Sequence, residues 1–290
     1  FDITNAGTLT DLSVITNGAA ATQNLVSPGL TTYSVAETGS NTTITNVTSA
    51  ANLNFSYQNT VGNITVGTVN AVAGNVTLTA TAGAILDDAN DATRISGNVV
   101  SLSATNGIGA NGVNQDIDTA ATTLSVINGA TAGAIAITEA DDVSVSGSNG
   151  FATGAVSITA TDGSITVNAT NLSSNNGVIT LTAKDATADN STPSGITVTG
   201  TITSGGGAIN LVAADDIALG ANVNATGGTV TITADDATSD TFADTDGAIT
   251  RTGGTVTGGT VNLNAEEGIA AFTAATTLSV INGATAGAIA

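Results

Sequence analysis

Eighteen residues of this chain occur twice without a change. The segment from Thr119 to Ala136 reads TAATTLSVINGATAGAIA, and the same letters return from Thr273 to Ala290. In a globular enzyme every segment has different neighbours, whereas in an array of stacked units each unit faces the same neighbours as the one before. The duplication therefore predicts a repeat protein.

A shorter pattern recurs along the chain. Each copy starts at a glycine and continues with an alternating strand, a turn that carries Asp or Gly, and a second alternating strand. In one copy Val156, Ile158 and Ala160 stand two residues apart, which places aliphatic side chains on one face of a strand and hydroxyls on the other. In the first copy of the duplicated segment we expect Leu124, Val126 and Ile135 to point inward, together with Ile137, which directly follows that copy. The copies start at Gly74, Gly97, Gly154, Gly177, Gly207, Gly228 and Gly259.

The spacing of these copies predicts the fold. Starts lie 23 residues apart at 74 to 97 and 21 apart at 207 to 228, while longer intervals contain polar insertions at 184–195 and 235–247. A unit of about 22 residues with two or three short strands fits one coil of a parallel β-helix, whose coils stack at ~4.8 Å. We therefore predict an all-β fold, a parallel β-helix solenoid with coils of about 22 residues.

The composition agrees with a thin core. Aromatic residues make up 2% of the chain, so Val, Ile, Leu and Ala must fill the inward positions. We expect Gly and Asn at the corners of the coils, where a positive φ is needed.

Two regions differ in regularity. Residues 74–290 repeat clearly, whereas residues 1–73 are predicted to form less regular β-solenoid coils with irregular loops. The non-repeating stretch from Tyr33 to Tyr57 holds three aromatic residues and is where a distinct binding patch is expected. Because the second copy of the duplication stops at Ala290 where the first continues, we expect the chain to be a segment of a longer array.

The repeats resemble a known family. The strings GNVTLTATAGAILDD from Gly74, GAVSITATDGSITV from Gly154 and GAINLVAADDIAL from Gly207 are similar to the repeats of filamentous-haemagglutinin-like exoproteins and giant bacterial surface adhesins. The resemblance covers residues 74–290 well and 1–73 weakly. It implies a right-handed parallel β-helix, an extracellular or cell-surface location, and a role in adhesion or filament formation. The secretion domain of that family is not recognisable here, which leaves the export route open.

The charge excludes some partners. The chain has 23 acidic and 3 basic residues, a formal net charge of −20. Nucleic acid and anionic membrane surfaces both need a basic stripe, which three scattered cations do not supply. No apolar run approaches the ~20 residues of a membrane helix, so membrane insertion is not expected.

Acidic residues cluster just after the first strand of many copies, which leaves two interpretations open. Stacked carboxylates and turn carbonyls could form a ladder of weak Ca²⁺ sites, because Ca²⁺ prefers oxygen ligands. Alternatively, these residues are ordinary turn formers, an interpretation favoured by the lack of an EF-hand loop or a Gly-Gly-x-Gly-x-Asp nonapeptide. We expect no cofactor. The candidate Ca²⁺ ligands are Asp240, Asp244 and Asp246, with Asp235 and Asp236.

The sequence argues against two further function classes, an enzyme and an ice-binding protein. A polysaccharide-active β-helix enzyme would need carboxylates grouped with basic residues, but His and Cys are missing and adjacent acids such as Asp215 and Asp216 point to opposite strand faces. We therefore predict that the chain is not an enzyme. An ice-binding solenoid would use outward Thr-x-Thr rows, which Asn and Ser interrupt here. Those rows are Thr77/Thr79/Thr81, Thr180/Thr182 and Thr229/Thr231/Thr233.

Together these features predict a structural or adhesive segment of an exported bacterial surface protein that forms a β-helical rod or filament. A Ca²⁺-stabilised ligand-binding adhesin module is the main alternative. Expected partners are a second copy or further coils packed end to end, because stacked coils leave unpaired strand edges at both ends. A host-cell or glycan surface is the other candidate partner.

Overall fold

The computed structural model describes residues 2–4, 9–17, 21–110, 112, 114–186, 194–239, 247–283 and 287–290. These residues form parallel β-strands stacked as a β-solenoid, with about 22 residues per coil and about 11 turns. No helix occurs in these described ranges. The predicted fold class, an all-β parallel β-helix solenoid, is therefore confirmed.

The chain divides into two compact units, Phe1–Thr138 and Glu139–Ala290. The last strand of the first unit, β12, extends one residue beyond it. Its strands are β1 (Asp2–Thr4), β2 (Asp11–Thr16), β3 (Ala21–Val26), β4 (Thr32–Glu37), β5 (Thr42–Thr48), β6 (Asn54–Asn59), β7 (Ile64–Asn70), β8 (Asn75–Ala80), β9 (Ile85–Asp87), β10 (Ile95–Ala104), β11 (Ile117–Asn128) and β12 (Ile135–Glu139).

The second unit continues the numbering with shorter strands, several of them only two or three residues long. They are β13 (Val143–Asn149), β14 (Val156–Ala160), β15 (Ile165–Ser174), β16 (Ile179–Ala183), β17 (Ile196–Val198), β18 (Ile202–Ser204), β19 (Ile209–Ala213), β20 (Ile217–Leu219), β21 (Val223–Asn224), β22 (Thr229–Thr233), β23 (Ala248–Arg251), β24 (Val256–Ala265), β25 (Gly268–Ile269) and β26 (Thr273–Asn282).

The first unit is built on columns of inward side chains that run from coil to coil. Each strand pairs in parallel with the equivalent strand of the next coil, so residues at the same strand position stack directly. Burying these side chains against their equivalents removes apolar surface from water, at about 25 cal/mol per Å². One column contains Leu12, Tyr33, Phe55, Val76, Val100 and Leu124, and another contains Ile64, Ile85, Ile108 and Ile135.

The inward positions predicted for the first duplicated copy and for Ile137, which directly follows it, are confirmed. Leu124, Val126, Ile135 and Ile137 are all buried. The stacking columns explain why these positions are apolar, since each side chain must fill the space above its equivalent in the preceding coil.

The second unit has the same kind of columns, one of which carries isoleucine in six successive coils. Ile165 pairs with Ile196, although the insertion at 184–195 separates them, and Ile217 pairs with Ile249 across the insertion at 235–247. Register is thus kept where the sequence spacing changes, because the extra residues lie between the strands. The isoleucine column contains Ile165, Ile196, Ile217, Ile249, Ile269 and Ile289.

The boundary between the units differs from the change in regularity that the sequence indicates at residues 73 and 74. The structure divides at 138 and 139. Before residue 73 the coil spacing is kept in β2, β4 and β6, where Asp11 pairs with Thr32 and Thr32 with Asn54, spacings of 21 and 22 residues, while the pairing of β3 with β5 shifts its register after Gln23. What differs there is the type of core residue, because aromatic rings replace aliphatic side chains.

The glycines that start the repeats serve a close backbone approach. A Cβ atom on Gly177 would lie 1.9 Å from the carbonyl oxygen of Gly154, and one on Gly207 would lie 2.3 Å from that of Gly177. Neither Gly177 nor Gly207 has a positive φ. The expectation that a positive φ requires glycine is therefore wrong at these two corners. Glycine is needed there because successive coils bring their backbones into contact. A positive φ occurs at other glycines, such as Gly133 (φ 90°).

Candidate functional surface

The outward face of the first unit carries a column of hydroxyl groups. Ser34 pairs with Ser56, and Ser56 with Thr77, each one coil further along. The sequence predicted rows of threonine along single strands, whereas strand register creates a column across strands. Serine contributes most of this column, which consists of Ser13, Ser34, Ser56, Thr77, Ser101 and Ser125.

The equivalent column of the second unit mixes hydroxyl and amide side chains. The Nδ2 atom of Asn210 donates a 3.5 Å hydrogen bond to Oγ1 of Thr180, and Asn262 donates one of 3.5 Å to Thr231. These side chains therefore interact with the preceding coil and also face solvent. The column contains Ser157, Thr180, Asn210, Thr231, Asn262 and Ser279.

Three aromatic residues of the first unit lie in its core. The rings of Tyr33 and Phe55 stack with centroids 5.1 Å apart, and Phe55 and Tyr57 are tilted at 6.3 Å. All three side chains are buried. The binding patch expected in this stretch therefore cannot use these rings.

Both tyrosine hydroxyls are hydrogen-bonded inside the coil. Tyr33 Oη donates to Oε1 of Gln23 at 2.7 Å, and Tyr57 Oη donates to Oγ1 of Thr42 at 2.9 Å. Burial raises the pKa of Tyr57 to about 12, and the pKa of Tyr33 is also raised, mainly by burial. The hydroxyls are neutral structural donors over the whole physiological pH range.

Several acidic side chains at the turns connect one coil to the next. Asp142 Oδ1 accepts a hydrogen bond from the amide of Ser164 at 2.7 Å, and Asp216 Oδ1 accepts one from the amide of Ala248 at 2.8 Å. The buried Asp215 carboxylate likewise accepts from the amide of Ser194. These carboxylates satisfy backbone donors at the corners, which explains why Asp recurs there.

The candidate Ca²⁺ ligands are only partly within the described residues. Asp240, Asp244 and Asp246 lie outside them. Asp235 has a φ of 58°, and the carboxylate of Asp236 accepts hydrogen bonds from the hydroxyls of the two residues at 238 and 239. Within the described ranges, no three His, Cys, Asp or Glu side chains are grouped so that they could hold a metal ion. A Ca²⁺ site at these five residues stays a prediction.

Calcium titration tests that site. We expect no saturable heat and no shift in melting temperature when Ca²⁺ is added to millimolar concentration, because the described turn carboxylates are already occupied by backbone and hydroxyl donors. Isothermal titration calorimetry of the full chain measures this. A saturable heat that the double substitution Asp240→Asn and Asp244→Asn abolishes would contradict the expectation and identify the site.

Asp118 is the acidic residue with the most strongly perturbed titration among those with a described shift. Burial, followed by the negative charges of Asp116, Asp87 and Asp91, raises the pKa of its carboxyl to about 7, while Arg94 opposes the shift. Ionising Asp118 in the folded chain therefore costs more than in the unfolded chain.

This shift predicts a pH-dependent stability. An unfolded Asp ionises near its ordinary pKa of 3.8, whereas folded Asp118 holds its proton until about pH 7. The folded state therefore binds more protons between these values, and stability falls as the pH rises from 4 to 7. We expect Asp118→Asn to raise the free energy of unfolding above pH 7 by about 1 kcal/mol, a value reduced for partial solvent screening.

Urea unfolding of both proteins at pH 4 and pH 8 measures this effect. At pH 4 the two should be nearly equally stable, because the wild-type carboxyl is then protonated in the folded chain. If the difference in free energy of unfolding between the two proteins is the same at pH 4 and pH 8, the raised pKa of Asp118 is contradicted.

Comparison with known proteins identifies no relative. The chain matches no protein-family model, no curated protein and no solved structure. Among the described residues there is also no helix long and apolar enough to cross a membrane. The fold places the chain in the class of parallel β-solenoids.

Proposed function

We propose that the chain is a structural segment of an exported bacterial surface protein. The observation that carries this proposal is the set of continuous inward columns, in which each coil packs on an equivalent coil. Such an array extends by adding coils and needs no single specialised site. The similarity of its repeats to filamentous-haemagglutinin-like exoproteins supports the exported location.

The use of the buried polar groups supports a structural role. The Nδ2 atom of Asn59 donates to the carbonyl oxygens of Ser40 and Asn63, and its Oδ1 accepts from the amides of Val61 and Gly62. This one side chain thus holds the turn that follows its strand. The hydrogen bonds of this side chain therefore stabilise the fold.

Antibody labelling of intact cells tests the exported location. An antibody against the folded chain should label unbroken cells of the bacterium of origin or precipitate the protein from the medium. External protease should remove the cell-bound signal. Labelling that occurs only after lysis would overturn the proposal, and a cytoplasmic protein labelled in parallel shows that the cells are intact.

Adhesion is the second candidate function, and the hydroxyl column of the first unit favours it. Regularly spaced hydroxyls at ~4.8 Å can donate and accept hydrogen bonds to sugar hydroxyls. Binding of the full chain to a glycan array tests this. The double substitution Ser56→Ala and Ser101→Ala should reduce any binding through this column, whereas Ser157→Ala in the second unit should not. Equal binding by wild type, the double variant and the Ser157→Ala variant would exclude the column as the site.

A further inference from the structure

Seven Asn-Gly pairs occur in the sequence, and five of them lie wholly within the described residues. An asparagine that precedes glycine can lose its side-chain amide without an enzyme, because the main-chain nitrogen of the glycine reaches Cγ and glycine has no side chain to hinder ring closure. The reaction is fastest where neither the glycine amide nor the asparagine side chain is held in place. The five pairs are Asn106-Gly107, Asn128-Gly129, Asn149-Gly150, Asn176-Gly177 and Asn282-Gly283.

In three of these pairs the glycine amide already donates a hydrogen bond of 2.7 to 2.9 Å. A nitrogen that is bonded in this way must break its hydrogen bond before it can attack Cγ. The three bonds run from Gly107 to Oδ1 of Asn128, from Gly129 to the carbonyl oxygen of Ala104, and from Gly283 to the carbonyl oxygen of Ala265.

In a fourth pair the asparagine side chain is held. Asn149 is 1% exposed, its Nδ2 donates to the carbonyl oxygen of Ala155 at 3.0 Å, and its Oδ1 accepts from the amide of Phe151 at 3.1 Å. Asn128 is similarly buried, and its Nδ2 donates to the carbonyl oxygen of Ala132 at 2.9 Å. Turning either side chain toward the glycine that follows it would break hydrogen bonds in a buried place.

Asn176 and Gly177 differ from the other four pairs. The side chain of Asn176 is exposed, and its amide nitrogen lies 3.2 Å from the carbonyl oxygen of Asn175 and 3.3 Å from that of Gly205. Two serine hydroxyls donate to the carbonyl oxygen of Gly177, at 2.6 and 3.0 Å. Its amide nitrogen, in contrast, donates no hydrogen bond to any residue of the described ranges.

We propose that Asn176 is the residue of these five at which the folded chain deamidates spontaneously. The main-chain nitrogen of Gly177 loses its proton to water or hydroxide and forms a bond to Cγ of Asn176. The bond from Cγ to Nδ2 then breaks, and the side-chain nitrogen leaves as ammonia. Water opens the resulting succinimide at either carbonyl and gives aspartate or isoaspartate, so water is the only other reactant.

The modification changes the charge and the backbone at a corner of the second unit. Both products add a negative charge to a chain whose formal net charge is −20, and isoaspartate also adds a main-chain carbon before Gly177. The backbone is tightly packed there, because a Cβ atom on Gly177 would lie 1.9 Å from the carbonyl oxygen of Gly154. Isoaspartate at position 176 should therefore lower the melting temperature of the second unit.

Ageing of the full chain followed by mass spectrometry tests the proposal. Wild type and the Asn176→Gln variant are kept at mildly alkaline pH and body temperature, then digested at acidic pH and fragmented by electron transfer, which separates aspartate from isoaspartate. Glutamine keeps a carboxamide at the exposed position but would need a six-membered imide, which forms far more slowly. Wild type aged in urea gives the rate of each site without the fold.

In folded wild type, Asn176 should react at least about tenfold faster than Asn128 or Asn149, because reaction at these two sites needs a local opening. In urea the three sites should react at similar rates. Aged wild type should melt at a lower temperature than fresh wild type, whereas ageing should not change the melting temperature of the second unit in the Asn176→Gln variant.

Equal rates at the three sites in the folded chain would overturn the assignment. So would an Asn176 that keeps its amide in the folded chain and loses it in urea. A chain that has formed isoaspartate at position 176 and melts as before would overturn the expected effect on the coil.

Discussion

Replacing Phe55 with alanine should lower the free energy of unfolding of the first unit by about 3–5 kcal/mol. The ring is 1% exposed and lies between Tyr33 and Tyr57, with which it makes aromatic contacts. Its removal leaves a cavity in a column whose neighbours are held in place by strand pairing on both sides. The gap therefore closes poorly, and both the lost burial and the lost ring contacts destabilise the fold.

Chemical denaturation followed by tyrosine fluorescence and circular dichroism measures the change. The matched control is Phe272→Ala, because Phe272 is 62% exposed and its ring contacts the guanidinium of Arg251 at 3.9 Å from the ring centroid. We expect the control to lose about 1 kcal/mol or less. Equal losses for the two substitutions would contradict the placement of Phe55 in the core.

Gly205→Ala should destabilise the second unit strongly, whereas Gly206→Ala should not. A Cβ atom on Gly205 would lie 1.8 Å from the carbonyl oxygen of Asn175, which is backbone and cannot move aside without shifting a coil. A Cβ atom on Gly206 would meet only the side-chain amide of Asn176, at 3.1 Å from Oδ1. We expect a loss of about 3 kcal/mol or more for the first substitution and less than about 1 for the second.

The two variants differ by one position in the same turn, so their comparison removes effects of composition and of helix or strand propensity. Melting temperatures and urea midpoints of both, next to wild type, give the answer. If Gly206→Ala is the more damaging of the pair, the corner geometry described here is incorrect.

The stacking of coils could be predicted because the sequence repeats its period. Val, Ile and Ala two residues apart, as at Val156, Ile158 and Ala160, indicate a strand with one buried face, and the interval of about 22 residues indicates the coil. The role of the repeat glycines could not be predicted in the same way. Close approach to a carbonyl oxygen one coil away, as at Gly177, depends on three-dimensional spacing that sequence alone does not contain.

The surface columns depend on register, which the insertions conceal. Ile165 and Ile196 are partners although 31 residues separate them, so counting by 22 misplaces the outward residues of the later coils. In the first unit the hydroxyl column changes between serine and threonine, which hides it from a search for threonine rows. The aromatic stretch departs from the repeat for a different reason. Tyr33, Phe55 and Tyr57 fill the core with larger side chains, so their departure from the repeat does not indicate a surface patch formed by these rings.

The acidic residues show how one pattern can have two physical origins. Asp at a turn can bind a metal or accept backbone hydrogen bonds, and both favour the same positions. Asp142 and Asp216 accept amides of the following coil, a partner that only the fold identifies. The raised pKa of Asp118 comes first from burial and then from charges on separate strands and turns, namely those of Asp116, Asp87 and Asp91.

The most direct test of the stacked solenoid is a distance across the hydroxyl column. Ser13 and Ser125 are linked by five successive strand pairings, so their backbones should lie roughly 24 Å apart at ~4.8 Å per coil. The chain has no Cys, so nitroxide labels attach only at Ser13→Cys and Ser125→Cys. Pulsed dipolar spectroscopy of dilute protein should give one narrow distance near this value; a broad distribution or a main distance beyond about 35 Å would contradict coil-on-coil stacking.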